Sequence, residues 1–223
     1  PIILGPDRSK LSKRHGATSI LHYRDAGYLS GAMLNFLARL GWSLDDVTEI
    51  FSRDELLRHF TLDRILANPA VFDKDKLEWM NGLYVRELDP RVLGEELVPY
   101  LEDAETGLPA SVARPIDRDY LTRIVPLERE RIKLLSEAPQ MFEFFFVDVL
   151  EYDAALLVQK GMDPAGAQTA LQRTIVVTEA IADWTPESLE GPLRSLAEEL
   201  GVKTGQLFGT LRIATTGLRV SPP

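Results

Sequence analysis

Asp89 to Leu101 reads D-P-R-V-L-G-E-E-L-V-P-Y-L, and this stretch indicates the fold class of the whole chain. Asp is a favoured N-cap residue, and Pro suits the first helical position because its missing N–H would have had no partner there. Leu93, Leu97 and Leu101 then recur every fourth residue, which places them on one face of a helix. The stretch therefore predicts an amphipathic helix that begins next to Asp89.

The same helix signature recurs along the chain. Alternating β patterns are nearly absent after the first ten residues, so the sequence predicts an all-α fold with short loops. The signals are a stripe of Met33, Phe36, Leu37 and Leu40 that ends at Gly41, a capping box from Ser52 to Glu55, N-caps at Asp163 and Thr185 each followed by Pro, and a last helix that is capped by Thr204 and ends at Gly217.

Composition restricts the classes of function. Asp and Glu number 34 against 25 Lys and Arg, giving a net charge of −9, which counts against a uniformly basic nucleic-acid binder but not against a local basic patch. There are no cysteines, so disulfides and thiolate metal sites are excluded, as fits a reducing cytoplasm. No apolar run approaches the roughly 20 residues of a membrane span, and no signal peptide is visible. Both ends read as cut from a longer chain.

The strongest local motif is K-L-S-K-R-H-G, Lys10 to Gly16. Two lysines three residues apart, with Ser between them and Gly nearby, form a cationic loop that could close over a triphosphate and stabilise charge on a pyrophosphate leaving group. A short basic cluster on a solvated surface is the alternative. The pattern is not a P-loop, because no G-x-x-x-x-G-K is present.

Four collinear segments carry a resemblance that spans nearly the whole chain. Leu4 to Ile20 closely resembles the "KMSKS" region of glutamyl-tRNA synthetases in its K-L-S-K-R form. Trp79 to Arg86 is similar to the W-M-N-G-x-Y-I-R segment of that family. Gly201 to Gln206 and Leu211 to Gly217 resemble its G-V-K-x-G-Q and L-R-x-A-x-T-G segments.

The resemblance implies a part of a class I synthetase of bacterial type. Such enzymes join glutamate to the 3′ end of tRNA-Glu through a glutamyl-adenylate, using ATP and magnesium. None of the three histidines, His15, His22 and His59, forms the H-x-G-H signature of the nucleotide fold. We therefore expect a C-terminal portion that does not aminoacylate by itself, with no catalytic residue, no metal site and no tightly bound cofactor.

For the ATP loop, the resemblance assigns the phosphate-contacting segment to Lys10, Leu11, Ser12, Lys13 and Arg14. Lys10 and Lys13 correspond to the two loop lysines of the family, with Ser12 between them. Leu11 stands where the family name has Met and is an apolar equivalent. Lys13 is the expected phosphate contact.

For the anticodon, the resemblance implicates Arg131 and Ser221. Arg131 falls where the family places an arginine that reads the third anticodon base, and an arginine can bond a base edge with two parallel hydrogen bonds. The alternative is that the run E-R-E-R-I-K is a solvated helix face. Ser221 lies in a C-terminal segment that contacts the anticodon in the family.

The implied organisation has three parts: a loop and helical tRNA stem-contact domain at 1–88, and two α-helical anticodon-binding domains at 89–153 and 154–223. The implied partner is tRNA-Glu. The resemblance also implies that the protein is a monomer, that it lies in the cytoplasm and that it does not contact a membrane. A second hypothesis is a helical protein-interaction module that descends from a synthetase and no longer binds RNA.

The aromatic residues are predicted to pack rather than to stack on bases. Phe142 and Phe144 to Phe146 read as a buried helix, and a stacking platform needs exposed rings. Trp79 and Tyr84 are likewise predicted to be packing residues.

Overall fold

The computed structural model describes residues 2–12 and 19–222, and α-helices dominate this part of the chain. The all-α prediction is confirmed, with one small sheet in addition. The helices are α1 Ile20–Asp25, α2 Ser30–Arg39, α3 Arg53–His59, α4 Lys74–Glu87, α5 Pro90–Leu101, α6 Arg118–Glu128, α7 Ala138–Phe142, α8 Pro164–Glu179, α9 Pro186–Glu199 and α10 Thr204–Thr216. No helix in the described ranges is both long and apolar enough to cross a bilayer.

The predicted helix starts are mostly correct. Ser52 and Glu55 form the reciprocal capping box of α3, and the carboxylate of Asp89 accepts the N–H of Arg91 at 2.9 Å at the start of α5. The last helix begins differently from the prediction. Its N-cap is Lys203, whose N–H donates to Oε1 of Gln206 at 2.8 Å, so Thr204 is the first helical residue rather than the cap.

The sheet consists of two short parallel strands, β1 Ile3–Leu4 and β2 Ala70–Val71. Ile3 pairs with Ala70, and α1, α2 and α3 lie in the crossover between the strands, as parallel pairing requires. The sequence analysis missed β2 because a strand of two residues is too short to show alternation.

The chain forms two compact units, Pro1–Phe142 and Glu143–Pro223. In the first, a cluster around Met33, Phe36, Leu77 and Met80 forms the core between α2 and α4. In the second, Ala170, Leu193, Leu196, Ala197 and Leu207 join α8, α9 and α10. The domain boundaries at 88/89 and 153/154 stay predictions.

Two aromatic predictions need correction. Phe142 is fully buried, but Phe144 to Phe146 are half-buried, and 143–145 form a 3-10 turn rather than a buried helix. Trp79 is 43 % exposed. Leu77 and Met80 lie on the buried face of α4, and Trp79, two positions after Leu77, points away from that face.

Candidate functional site

The segment before the predicted ATP loop is a tight, hydrogen-bonded turn. Leu4 and Lys10 form an antiparallel bridge, and the N–H of Leu11 donates to the carbonyl of Ile3 at 2.9 Å. Between them, Asp7 Oδ1 accepts the N–H of Ser9 at 2.9 Å and Oδ2 accepts its hydroxyl at 3.0 Å. Arg8 adopts a left-handed φ of 62° at the tip of this turn.

Of the predicted loop residues that the structure describes, two are exposed and one packs against the core. Lys10 and Ser12 are exposed, while Leu11 is half-buried and packs against the core cluster that contains Met80. The backbone of Lys10 is therefore fixed while its ammonium group faces solvent. The other two predicted loop residues, Lys13 and Arg14, lie outside the described residues.

The run E-R-E-R-I-K, residues 128–133, is not a helix face. Helix α6 ends at Glu128, and the N–H of Arg131 donates to the carbonyl of Glu128 at 2.8 Å in the turn that follows. Ile132 is fully buried. The interpretation of this run as a continuous solvated helix face is therefore wrong for residues 129–133.

Glu128 is the functional-site candidate that the sequence analysis missed. It is fully buried, and its Oε2 lies 2.5 Å from Nη1 of Arg131, whose side chain is 31 % exposed. No donor in the described part of the chain reaches Glu128 Oε1. Burial raises the pKa of the Glu128 carboxyl, while Arg131 acts in the opposite direction. The signal was available, since Leu121, Ile124 and Val125 form an apolar stripe on which Glu128 takes the next position.

The W-M-N-G-L-Y-V-R segment holds the backbone that follows Arg131. Asn81 is fully buried, and its Oδ1 accepts the N–H of Leu29 at 2.8 Å. Its Nδ2 donates to the carbonyl of Lys133 at 2.6 Å and to that of Gly27 at 3.3 Å. Gly27 also accepts the N–H of Leu135 at 3.1 Å. One amide side chain thus ties the start of α2 to the segment that carries Arg131.

Two further residues of this segment make similar links. The Tyr84 hydroxyl lies 2.8 Å from the carbonyl oxygen of Phe51 and 2.9 Å from Oδ1 of Asn35. Nη1 of Arg86 donates to the carbonyl of Glu130 at 3.4 Å. The motif is therefore a structural junction inside the first unit.

The predicted C-terminal contact, Ser221, belongs to the second unit. Helix α10 ends at Thr216, and its C-cap residue Gly217 has the left-handed φ of 71° that glycine readily adopts. Ser221 is half-buried, and its hydroxyl donates to the carbonyl of Pro222 at 3.1 Å. Arg219 is exposed in the same segment.

Comparison with known proteins identifies the family of this chain. A family model described as anticodon binding domain matches residues 92–223, and one described as tRNA synthetases class I (E and Q), catalytic domain, matches residues 1–79. Glutamate–tRNA ligases from Dehalococcoides mccartyi and Roseiflexus castenholzii are each 45 % identical over the whole chain. The chain belongs to the glutamyl-tRNA synthetase family. It spans about half the length of these curated relatives, 46 % and 44 % respectively.

Solved structures agree with the assignment to the glutamyl-tRNA synthetase family. A glutamate tRNA ligase from Elizabethkingia meningosepticum aligns with 99 % of the chain and 45 % of its own length, with a TM-score of 0.78 at 26 % identity. The synthetase from Elizabethkingia anophelis, at 24 % identity and a TM-score of 0.75, supports the fold. The family resemblance inferred from the four sequence segments is confirmed.

Proposed function

We propose that this chain is the tRNA-binding portion of a glutamyl-tRNA synthetase, and that the whole enzyme ligates glutamate to tRNA-Glu through a glutamyl-adenylate. The observation that carries the proposal is the match of the anticodon binding domain model to residues 92–223, more than half of the chain. Its cellular site is the cytoplasm, and its working state is a monomer.

Arg131 is the proposed reader of the third anticodon base. Its guanidinium group lies beside Glu128, and about a third of the side chain stays exposed. A guanidinium group offers five N–H donors in one plane, a geometry that suits the acceptor edge of an unpaired base. Ser221 is proposed as a second anticodon contact.

The ATP phosphates are the proposed ligands of Lys10, Ser12, Lys13 and Arg14, with Leu11 as the apolar anchor of the loop. The exposed side chain of Lys10 on a fixed backbone fits this role. When bound in the whole enzyme, ATP with Mg²⁺ supplies the activated phosphate chemistry. We assign no residue of this chain to Mg²⁺.

We keep the three-part organisation as a proposal: stem contact at 1–88 and anticodon binding at 89–153 and 154–223. The hydrogen bonds of Asn81 to Leu29 and Lys133 support a rigid connection between the first two parts. Such a connection would hold the reader at a fixed distance from the stem-contact helices.

Fluorescence anisotropy with labelled tRNA-Glu tests the proposal. We expect binding that weakens as salt rises, because phosphate contacts release counterions. Arg131→Ala should weaken binding of wild-type tRNA by about 1–3 kcal/mol and should abolish the penalty of changing the third anticodon base. Arg194→Ala is the matched control, since Arg194 pairs with Glu190 at 2.7 Å on α9 and should leave that penalty intact.

Two results would contradict the proposal. If Arg131→Ala leaves the third-base penalty unchanged, Arg131 is not the reader. If no tRNA-Glu binds even at low salt, the interaction-module hypothesis gains ground, with the net charge of −9 as its support.

A further inference from the structure

Glu128 is a buried carboxylate that the proposed contacts to RNA do not use. It sits at the end of α6 on the helix face that packs into the unit, together with Leu121 and Val125. Apolar residues usually fill such positions, because burying a charge is unfavourable unless the charge is paired. A requirement other than packing therefore accounts better for a carboxylate here.

The partner of Glu128 is the guanidinium group of Arg131, at 2.5 Å between Oε2 and Nη1. Among the described residues no donor compensates Oε1, so the stability of the buried charge depends heavily on Arg131. Moving the guanidinium group away would leave a buried carboxylate without its counter-charge, which is strongly unfavourable. This cost restricts the orientations that the Arg131 side chain can adopt.

The backbone around Arg131 is held by other groups. The N–H of Arg131 donates to the carbonyl of Glu128, and the carbonyl of Lys133 accepts from Asn81. Ile132 between them is fully buried. The carboxylate of Glu128 is thus not needed to place the main chain, and its specific effect falls on the side chain of Arg131.

We propose that Glu128 is a positioning residue, which holds the guanidinium group of Arg131 in a fixed orientation so that it meets the acceptor edge of the third anticodon base. The proposal rests on the base-reading role proposed for Arg131. A side chain that is already ordered loses less conformational entropy on binding. A guanidinium group held in one orientation also binds poorly to bases whose acceptor atoms lie elsewhere. Glu128 thereby contributes to specificity without touching RNA.

The test compares Glu128→Gln, Arg131→Ala and the double variant by anisotropy with two RNAs, wild-type tRNA-Glu and a third-base variant. Gln keeps the shape of Glu but removes the charge. We expect Glu128→Gln to reduce the ratio of the two dissociation constants by roughly threefold or more, in keeping with coupling between residues in contact. In the Arg131→Ala background the same change should have no effect on the ratio.

The outcomes separate the two proposals. If Arg131→Ala abolishes the third-base penalty but Glu128→Gln leaves it at the wild-type value, the positioning role is wrong and the base-reading role stands. If Arg131→Ala itself does not change the third-base penalty, the base-reading role is wrong, and the positioning role that rests on it is wrong as well. A loss of affinity for both RNAs with an unchanged ratio indicates a merely structural role for Glu128 and also overturns the proposal.

A second measurement does not depend on how well Glu128→Gln folds. In the wild-type protein, ¹⁵N NMR of the arginine side chains reports rotation of each guanidinium group, with Arg131→Lys assigning the signal of interest. We expect slow rotation for Arg131 and fast rotation for the control Arg219, which is exposed. Fast rotation of Arg131 in the free protein would show that Glu128 does not restrain it.

Discussion

Glu128 shows how a single residue can depart from the pattern around it for a physical reason. The stripe of Leu121, Ile124 and Val125 favours an apolar residue at this position, yet the chain places a carboxylate there and pairs it with Arg131. A buried ion pair is weak evidence for stability, since desolvation offsets much of the attraction. The pair is better explained by the orientation that it imposes on Arg131.

The raised pKa of Glu128 predicts a pH-dependent stability. Because the folded carboxyl binds its proton more tightly than the unfolded one, the folded state holds more protons between the ordinary and the raised pKa. The free energy of unfolding should therefore fall as pH rises through that window, and Glu128→Gln should lack this fall. Urea unfolding of both proteins from about pH 4 to 7 checks it.

Tryptophan fluorescence can restrict this measurement to the first unit. Trp42 and Trp79 lie there, and a Trp184→Phe background removes the signal of the second unit. A difference in unfolding free energy between the two proteins that does not change with pH would contradict the raised pKa.

At the scale of elements, α4 is a junction as well as a core helix. Its buried face packs on α2 through Leu77 and Met80. From the same helix, Asn81 reaches the start of α2 and the segment after α6. The position of Arg131 relative to the rest of the first unit therefore depends on side-chain hydrogen bonds from this helix to carbonyl groups that lie 44 and 52 residues later in the sequence.

Asn81→Ala should destabilise the first unit by about 2–4 kcal/mol, because it leaves buried backbone groups of Leu29 and Lys133 without their partner. Chemical unfolding followed by the fluorescence of Trp42 measures this effect. Glu87→Ala is the control on the same helix, since Glu87 is exposed and its loss should change stability by no more than about 0.5 kcal/mol. Equal effects of the two substitutions would show that Asn81 is not a structural junction.

At the scale of the whole molecule, the two units each carry their own core and their own acidic excess. Lys and Arg number 19 against 23 Asp and Glu in 1–142, and 6 against 11 in 143–223. Neither unit is basic overall, so the proposed affinity for RNA would rest on local groups such as Arg131. Such contacts act over a short range and are sensitive to salt.

Gly27→Ala should destabilise the first unit far more than Gly201→Ala destabilises the second. A Cβ on Gly27 would lie 2.4 Å from the backbone nitrogen of Leu135, in addition to the strain of its φ of 88°. Gly201 has a φ of 66°, but no described atom lies within 4 Å of its added Cβ, so its substitution should cost only about 1–2 kcal/mol.

Hydrogen exchange measured by mass spectrometry distinguishes the two units. In Gly27→Ala, amides within 20–142 should lose protection while those of α8, α9 and α10 keep it, because the units have separate cores. Equal loss of protection throughout the chain would mean that the units unfold as one.

The sequence alone determined the helical class, most helix starts and the family, because capping residues, apolar periodicity and the four motifs are local signals. Asp89, Ser52 and Leu93 act through neighbours within one or two turns, so their roles can be read from spacing. The pairing of Glu128 with Arg131 and the junction at Asn81 were decided only by tertiary structure. The junction at Asn81 depends on segments that are far apart in the sequence, and the pairing of Glu128 depends on the turn that follows α6. A linear pattern of residue types does not indicate which carbonyl or guanidinium group will lie within hydrogen-bonding distance.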